Sequence, residues 1–222
     1  MPFYETVLAH DTHMDYANPD ANSGSSALLR FQRTWISGGK GSTIIYERPV
    51  IAHDFSGETA LTAAAQVKGA SIRMKKYVGT NPDDLDITWY RVRKAGGDAE
   101  IDEAKVTWND RDKDIPDAWM TAGANDATDD FDIGVASDEQ TGMVVNGLWQ
   151  AWNIAAMIKD AITNRSSIFR ARANEAFVQE QVNSFYVRSS EYATAADRPV
   201  LRIWYTLTRG GHAGWMEQLC GG

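Results

Sequence analysis

The sequence predicts an all-β protein, an antiparallel β-sandwich with one short helix. Three observations lead there. Short segments rich in β-branched and aromatic residues recur along the 222-residue chain: "GASIRMKKYV", "DITWYRV", "SIFRARA", "VNSFYVR" and "VLRIWYTL". Within them the side chains alternate, so that in the last one Leu201, Ile203, Tyr205 and Leu207 share a core face while Arg202, Trp204 and Thr206 share the other. Only "NIAAMIKDAITNR", residues 153 to 165, breaks the pattern. There Ile154, Met157, Ile158, Ala161 and Ile162 recur at helical spacing, which predicts an amphipathic helix near 154 to 163 that plugs one end of the sandwich.

The chain opens with a strand, "FYETVL", followed by "HDTHMD" and the turn cluster "NPDANSGSS". His10, Asp11, His13 and Asp15 resemble a metal site at first sight. On a strand, however, His10 and His13 fall on opposite faces, with Asp11, His13 and Asp15 together on one side. The two-histidine motif therefore dissolves, and the segment reads as a hydrogen-bonded strand-to-loop junction. Residues 109 to 142 are rich in Asp, Gly, Asn and Thr with little periodicity, which predicts a long excursion over the surface. Trp108 and Trp119 are expected to pack within that excursion. His53 and His212 carry no readable role.

Composition narrows the function. A net charge of −8 disfavours a nucleic-acid partner, because phosphate binding rests on accumulated positive charge. The single cysteine, Cys220, allows neither an intrachain disulfide nor a cysteine-based metal framework. Residues 1 to 20 lack a basic start followed by an apolar core, and no apolar run approaches transmembrane length, so synthesis in the cytoplasm without membrane insertion is expected. Gly-x-Ser-x-Gly, His-Glu-x-x-His and a phosphate loop are all missing, and no carboxylate pair stands out among 30 acidic residues, so a non-enzymatic protein is expected.

At "AKVTWNDRDKDIPDAWMTAGANDATDDFD" the sequence resembles the DNRLRE family, a jelly-roll-like β-sandwich related to disaggregatase-type carbohydrate-binding modules. The opening "DTHMDYANPDANSGSSALLRF", a strand ending in "YRV", the "VTWN-R" element, a Trp and Gly loop and the closing "FYVRSSEYATAADRPVLRIWYT" stand in the order that family uses. The resemblance implies a jelly-roll-like sandwich over residues 1 to 206, in which Asp11, Thr12 and Asn22 to Gly24 shape the chain entry. Asn153 departs from the family's Asp before the helix, and "TNRSSIFRARA" lacks its glycine-rich entry. Residues 207 to 222 have no family counterpart and form a C-terminal tail, where Trp215, Met216 and Leu219 are expected to dock on another chain.

Two kinds of site are expected. Arg170, Arg172, Tyr186, Arg188, Arg202 and Trp204 all point away from the core if the strands alternate, and strand pairing could gather them into a partner- or glycan-binding face. Aromatic faces stack on sugar rings and arginine forks grip carboxylates, so an acidic polysaccharide or another subunit would suit it. Trp89, Arg91 and Arg93 are expected to point outward elsewhere. Asp126, Asp129, Asp130 and Asp132, like Asp110, Asp112 and Asp114, offer the oxygen ligands calcium prefers, although neither group has EF-hand spacing. Calcium is therefore the one possible cofactor. Two functions follow: a structural or adhesive component of a bacteriophage particle, such as a capsid decoration or fibre that binds other virion proteins or itself, and a carbohydrate-binding module of an extracellular bacterial protein.

Overall fold

The computed structural model describes residues 3–7, 10–38, 41–54, 58, 61–92, 104–112, 114, 117–124, 126–127, 130–163, 168–177 and 182–207. In chain order these form β1 (Phe3–Val7), β2 (His10–Asp15), β3 (Leu28–Gly38), β4 (Gly41–Asp54), β5 (Val67–Val78), β6 (Leu85–Val92), β7 (Asp110–Asp112) and β8 (Asp117–Ala118). After them come β9 (Phe131–Ala136), β10 (Gln140–Thr141), β11 (Trp149–Asn153), α1 (Ala155–Thr163), β12 (Ile168–Phe177), β13 (Val182–Arg188) and β14 (Val200–Tyr205). Every pairing among the described residues is antiparallel. The protein is an all-β sandwich with one α-helix among the described residues.

One sheet runs β1–β14–β5–β11. The other runs β13–β3–β4–β12–β6, with β2 laid along β4 and both β9 and β10 along β6. The last residues of β5 leave β14 and pair with β13, Val78 opposite Tyr186, so the two sheets are continuous at that corner. The core lies between them. It combines Ile72 and Met74 of β5, Leu201 and Ile203 of β14, Phe31 of β3, Phe185 of β13 and Ile87 of β6. Phe31 makes ring contacts with Trp89, Trp152 and Phe185 at centroid distances of 5.6, 6.2 and 5.7 Å.

The helix appears where its periodicity predicts. Met157, Ile158 and Ala161 are buried against the core, and Asn153 Oδ1 accepts from the Ala155 N–H at the helix start. This Asx turn leads the chain into the helix.

The expected orientation of β6 is corrected. Trp89 is fully buried in the main core beside Ile87, and Arg91 is 2% exposed, its Nη1 2.9 Å from Asp160 on α1. Arg93 lies outside the described residues. Leu85, Ile87, Trp89 and Arg91 share the buried face while Asp86, Thr88 and Tyr90 stay partly exposed, so alternation counted from Leu85 and Ile87 puts Trp89 inside, and Arg91 follows it onto the buried face beside Asp160. The expected surface excursion is also more ordered than its composition predicts, since β7 to β10 lie within it. Together with residues 104–109 it covers a second apolar cluster: Met14, Val50, Val92, Val106, Trp108, Trp119 and Ala124. Trp119 Nε1 donates to the Thr107 carbonyl at 3.1 Å, and Arg48 Nη1 donates to the Gly123 carbonyl at 2.5 Å. Gly123 has φ +76°, and a Cβ there would come within 2.5 Å of Trp108, so this turn requires glycine on both counts.

Candidate functional site

The outer face of the β1–β14–β5–β11 sheet is the most distinctive surface. Alternation along β5 buries Ala70, Ile72 and Met74 and turns Ser71, Arg73, Lys75 and Tyr77 outward. On β14 the same rule turns out Arg202 and Trp204, on β11 Trp149, Ala151 and Asn153, and on β1 Phe3 and Glu5. Register then sets the neighbours. Phe3, Trp204 and Gly69 form one cross-strand row, and Glu5, Arg202, Ser71 and Asn153 form the next. The third row holds Val200, Arg73 and Ala151, and the fourth holds Lys75 and Trp149.

Each aromatic is held differently. The Trp204 indole lies beside Gly69, where a Cβ would stand 3.5 Å from its Cε3, so the ring rests near a stretch of bare backbone. The Arg73 guanidinium sits 5.2 Å from the Trp149 ring centroid. Phe3, Glu5, Tyr77, Ala151 and Asn153 are exposed and the rest of the face is partly exposed, so it is open to solvent. Six residues of β5 and two strand spacings separate Trp204 from Trp149, which amounts to roughly 22 Å.

Most cations here are paired. Arg202 bonds the Glu5 carboxylate, and Lys75 Nζ lies 2.5 Å from Asp197, which also bonds Arg188. The Lys75 hydrogen bond, ahead of the Arg188 charge, holds the Asp197 carboxyl below its ordinary value. Arg188 also stacks over Tyr192, 4.6 Å from its centroid, and Tyr192 approaches Tyr77 at 6.5 Å. Among the described residues no carboxylate pairs with Arg73. Its contact on this face is the Trp149 ring.

The six residues expected to form one face are not brought together. Arg202 and Trp204 lie on this sheet, and Arg188 reaches its margin through Asp197. Tyr186 belongs to a separate polar group: its hydroxyl donates to Gln32 Oε1 at 2.6 Å, and Arg30 lies 5.6 Å from its ring while bonding Glu47 at 3.1 Å. Burial raises the pKa of Tyr186 and of Glu47, and burial followed by the Arg30 charge lowers that of His13 to about 4. Arg172 is 1% exposed. It points away from the main core as expected but is covered, its guanidinium 3.8 Å from the Phe131 centroid and 5.6 Å from that of Tyr90. The backbone of Arg170 pairs with Ala52, and its side chain lies outside the described residues. Trp215, Met216 and Leu219 lie outside them as well.

The aspartate loop is organised by hydrogen bonds. Asp130 is fully buried, and its carboxylate accepts from the N–H groups of Met120, Thr121 and Asp126 at 2.8, 3.0 and 3.1 Å. Asp132 Oδ1 accepts from the Gly134 N–H. Asp129 lies outside the described residues, and among those described no three acidic, histidine or cysteine side chains are grouped as a metal site would need. Of the histidines without a readable role, His53 meets the Tyr4 hydroxyl at 3.2 Å, and His212 lies outside the described residues.

Arg73, Lys75, Trp149 and Phe3 were not singled out from sequence, although "SIRMKKYV" and "LWQAW" carry the alternation that places three of them outside. No protein-family model matches this chain, and no curated protein sequence matches it.

Proposed function

We propose that this chain is a non-enzymatic structural and adhesive protein of a bacteriophage particle surface, such as a capsid decoration or fibre component, built on a DNRLRE-like sandwich. The observation that carries the reading is the open aromatic and cationic sheet face, with Trp204 and Trp149 as platforms and Arg73 as an unpaired charge between them. A rigid sandwich presenting such a face suits adhesion, because the sheets already fix the backbone and only side-chain rotamers are ordered on contact. The non-catalytic reading is supported by His13, Glu47 and Tyr186, three groups with shifted pKa values that are gathered around Arg30 in a partly buried polar cluster.

A carbohydrate-binding module of an extracellular protein is the second reading, favoured by the same Arg73. An anionic glycan would supply the carboxylate this cation lacks, while its sugar rings stack on the indoles. Either reading accommodates calcium at Asp126, Asp129, Asp130 and Asp132, and neither calls for nucleic acid or membrane insertion.

The test is a glycan array probed with the purified protein, together with co-sedimentation of the protein with phage particles. Uronate- or sialate-bearing glycans are expected to bind, and Arg73→Ala combined with Trp204→Ala is expected to weaken binding 10- to 100-fold. Equal binding by the double variant refutes the role of this face, and absence from sedimented particles refutes the virion setting.

A further inference from the structure

Among the described residues, eleven large hydrophobic side chains are exposed, and six of them sit at one end of the sandwich: Tyr77, Val78, Val144, Val145, Leu148 and Val182. Hydrogen bonds hold that end in shape. Lys76, itself 1% exposed, donates from Nζ to the Val144 carbonyl at 2.6 Å, while its backbone bonds Leu148 and Gly147 at 2.9 and 3.0 Å. Gly147 takes φ +80°, closing the loop back onto β5. On the other side Thr80 and Ser184 exchange hydrogen bonds, and Asn81 Nδ2 reaches the Val182 carbonyl, which carries Val182 to the same end. This is a fixed apolar surface, of the kind that marks an interaction site.

We infer that this end receives the C-terminal segment 208–222 of a neighbouring copy, joining molecules head to tail. Reach argues for a neighbour. Thr206 pairs with Gln66, beyond the opposite end of β5, and Lys76 lies ten residues further along, roughly 33 Å away. Trp215 follows Thr206 by nine residues, which span at most about 32 Å when fully extended. Its own copy could place Trp215 on the patch only with a taut chain, and glycines at 210, 211 and 214 oppose that by their conformational entropy. A neighbour needs no such stretch. Chemistry agrees: Trp215, Met216 and Leu219 match the aliphatic surface, while Arg209 precedes them and Asp83 and Asp84 flank the patch. A tail on one end and its receptor on the other make a heterologous contact, which closes into rings or grows into filaments.

The inference rests on reading the chain as a building block of an assembly. Its test is sedimentation velocity on the full chain and two variants. The wild type is expected to self-associate with rising concentration. Val145→Asp, which disables the receptor, and a chain ending at Leu207, which lacks the tail, are each expected to remain monomeric with unchanged circular dichroism. Mixed together, they are expected to form a 1:1 heterodimer and nothing larger, because one still has a tail and the other still has a receptor. A monomeric wild type overturns the inference, and so does a mixture that stays monomeric. Self-association that survives truncation overturns it in favour of patch-to-patch contact. Glycan binding is measured on the same samples: binding retained without self-association overturns only this inference and leaves the adhesive reading standing.

Discussion

Asp11 and Ser190 stand 179 residues apart in the chain and share two hydrogen bonds, the Ser190 N–H donating to Oδ2 at 2.7 Å and its hydroxyl to Oδ1 at 3.1 Å. Both residues are buried, so the carboxylate locks β2 to the turn after β13. This explains the histidine and aspartate cluster at the start of the chain: its key member is a structural acceptor. Asp11→Ala leaves two buried donors unpaired and is expected to cost about 2–4 kcal/mol. Chemical denaturation measures it, and a loss below about 1 kcal/mol would show that the clamp contributes little.

The strands were legible where one face of a strand is solvated. In β14, Leu201, Ile203 and Tyr205 are buried while Arg202 and Trp204 are not, as alternation predicts; Leu207, past the strand end, is exposed. In β6 the same rule holds for Leu85, Ile87 and Trp89, which are buried while Asp86, Thr88 and Tyr90 are not; the exception is Arg91, a charge on the buried face that only its pairing with Asp160 on α1 explains. Alternation also assigns a face without assigning neighbours. Arg202 sits opposite Ser71 of β5 and Tyr186 opposite Val78 further along it, and only long-range strand order reveals that Arg202 joins Arg73 and Trp149 rather than Tyr186.

His13 makes stability depend on pH. Its pKa is about 4 in the folded protein and 6.5 when exposed, so the unfolded state binds more protons between those values. Folding stability therefore falls as pH drops from 6.5 towards 4, by up to about 3 kcal/mol. Glu47 acts in the opposite sense, since its raised folded-state pKa contributes stability at low pH that is lost as pH rises through that value. Comparing His13→Gln with the wild type isolates the histidine. Denaturation between pH 4 and 7 is expected to show a flatter profile in the variant, and parallel profiles would exclude this residue as the cause.

Asp130 holds the lid over Trp108 and Trp119. Asp130→Ala removes the acceptor of three backbone N–H groups and is expected to destabilise the protein by about 3 kcal/mol. Tryptophan emission should shift to the red as the lid loosens. Adding EDTA to the wild type is expected to leave its melting temperature unchanged if these hydrogen bonds suffice, whereas a drop of several degrees would reveal a bound calcium.

The outer sheet face separates charge from stacking. Arg73 faces solvent with its ring contact to Trp149 and no carboxylate partner among the described residues, so its attraction for an anionic ligand is screened by salt. Trp204, beside Gly69, offers an apolar surface whose contribution is largely insensitive to ionic strength. Arg73→Gln is thus expected to remove the preference for acidic over neutral glycans, about tenfold in affinity or 1.4 kcal/mol, and to flatten the salt dependence. Trp204→Ala is expected to lower affinity for both classes by a similar factor while the salt dependence persists. Isothermal titration at 50 and 500 mM salt distinguishes the two effects. Neither side chain belongs to the buried core, so both variants should unfold within about 1 kcal/mol of the wild type. If Trp204→Ala instead alters the salt dependence and Arg73→Gln does not, the charge is read elsewhere, and the paired cations Arg202 and Lys75 become the residues to test.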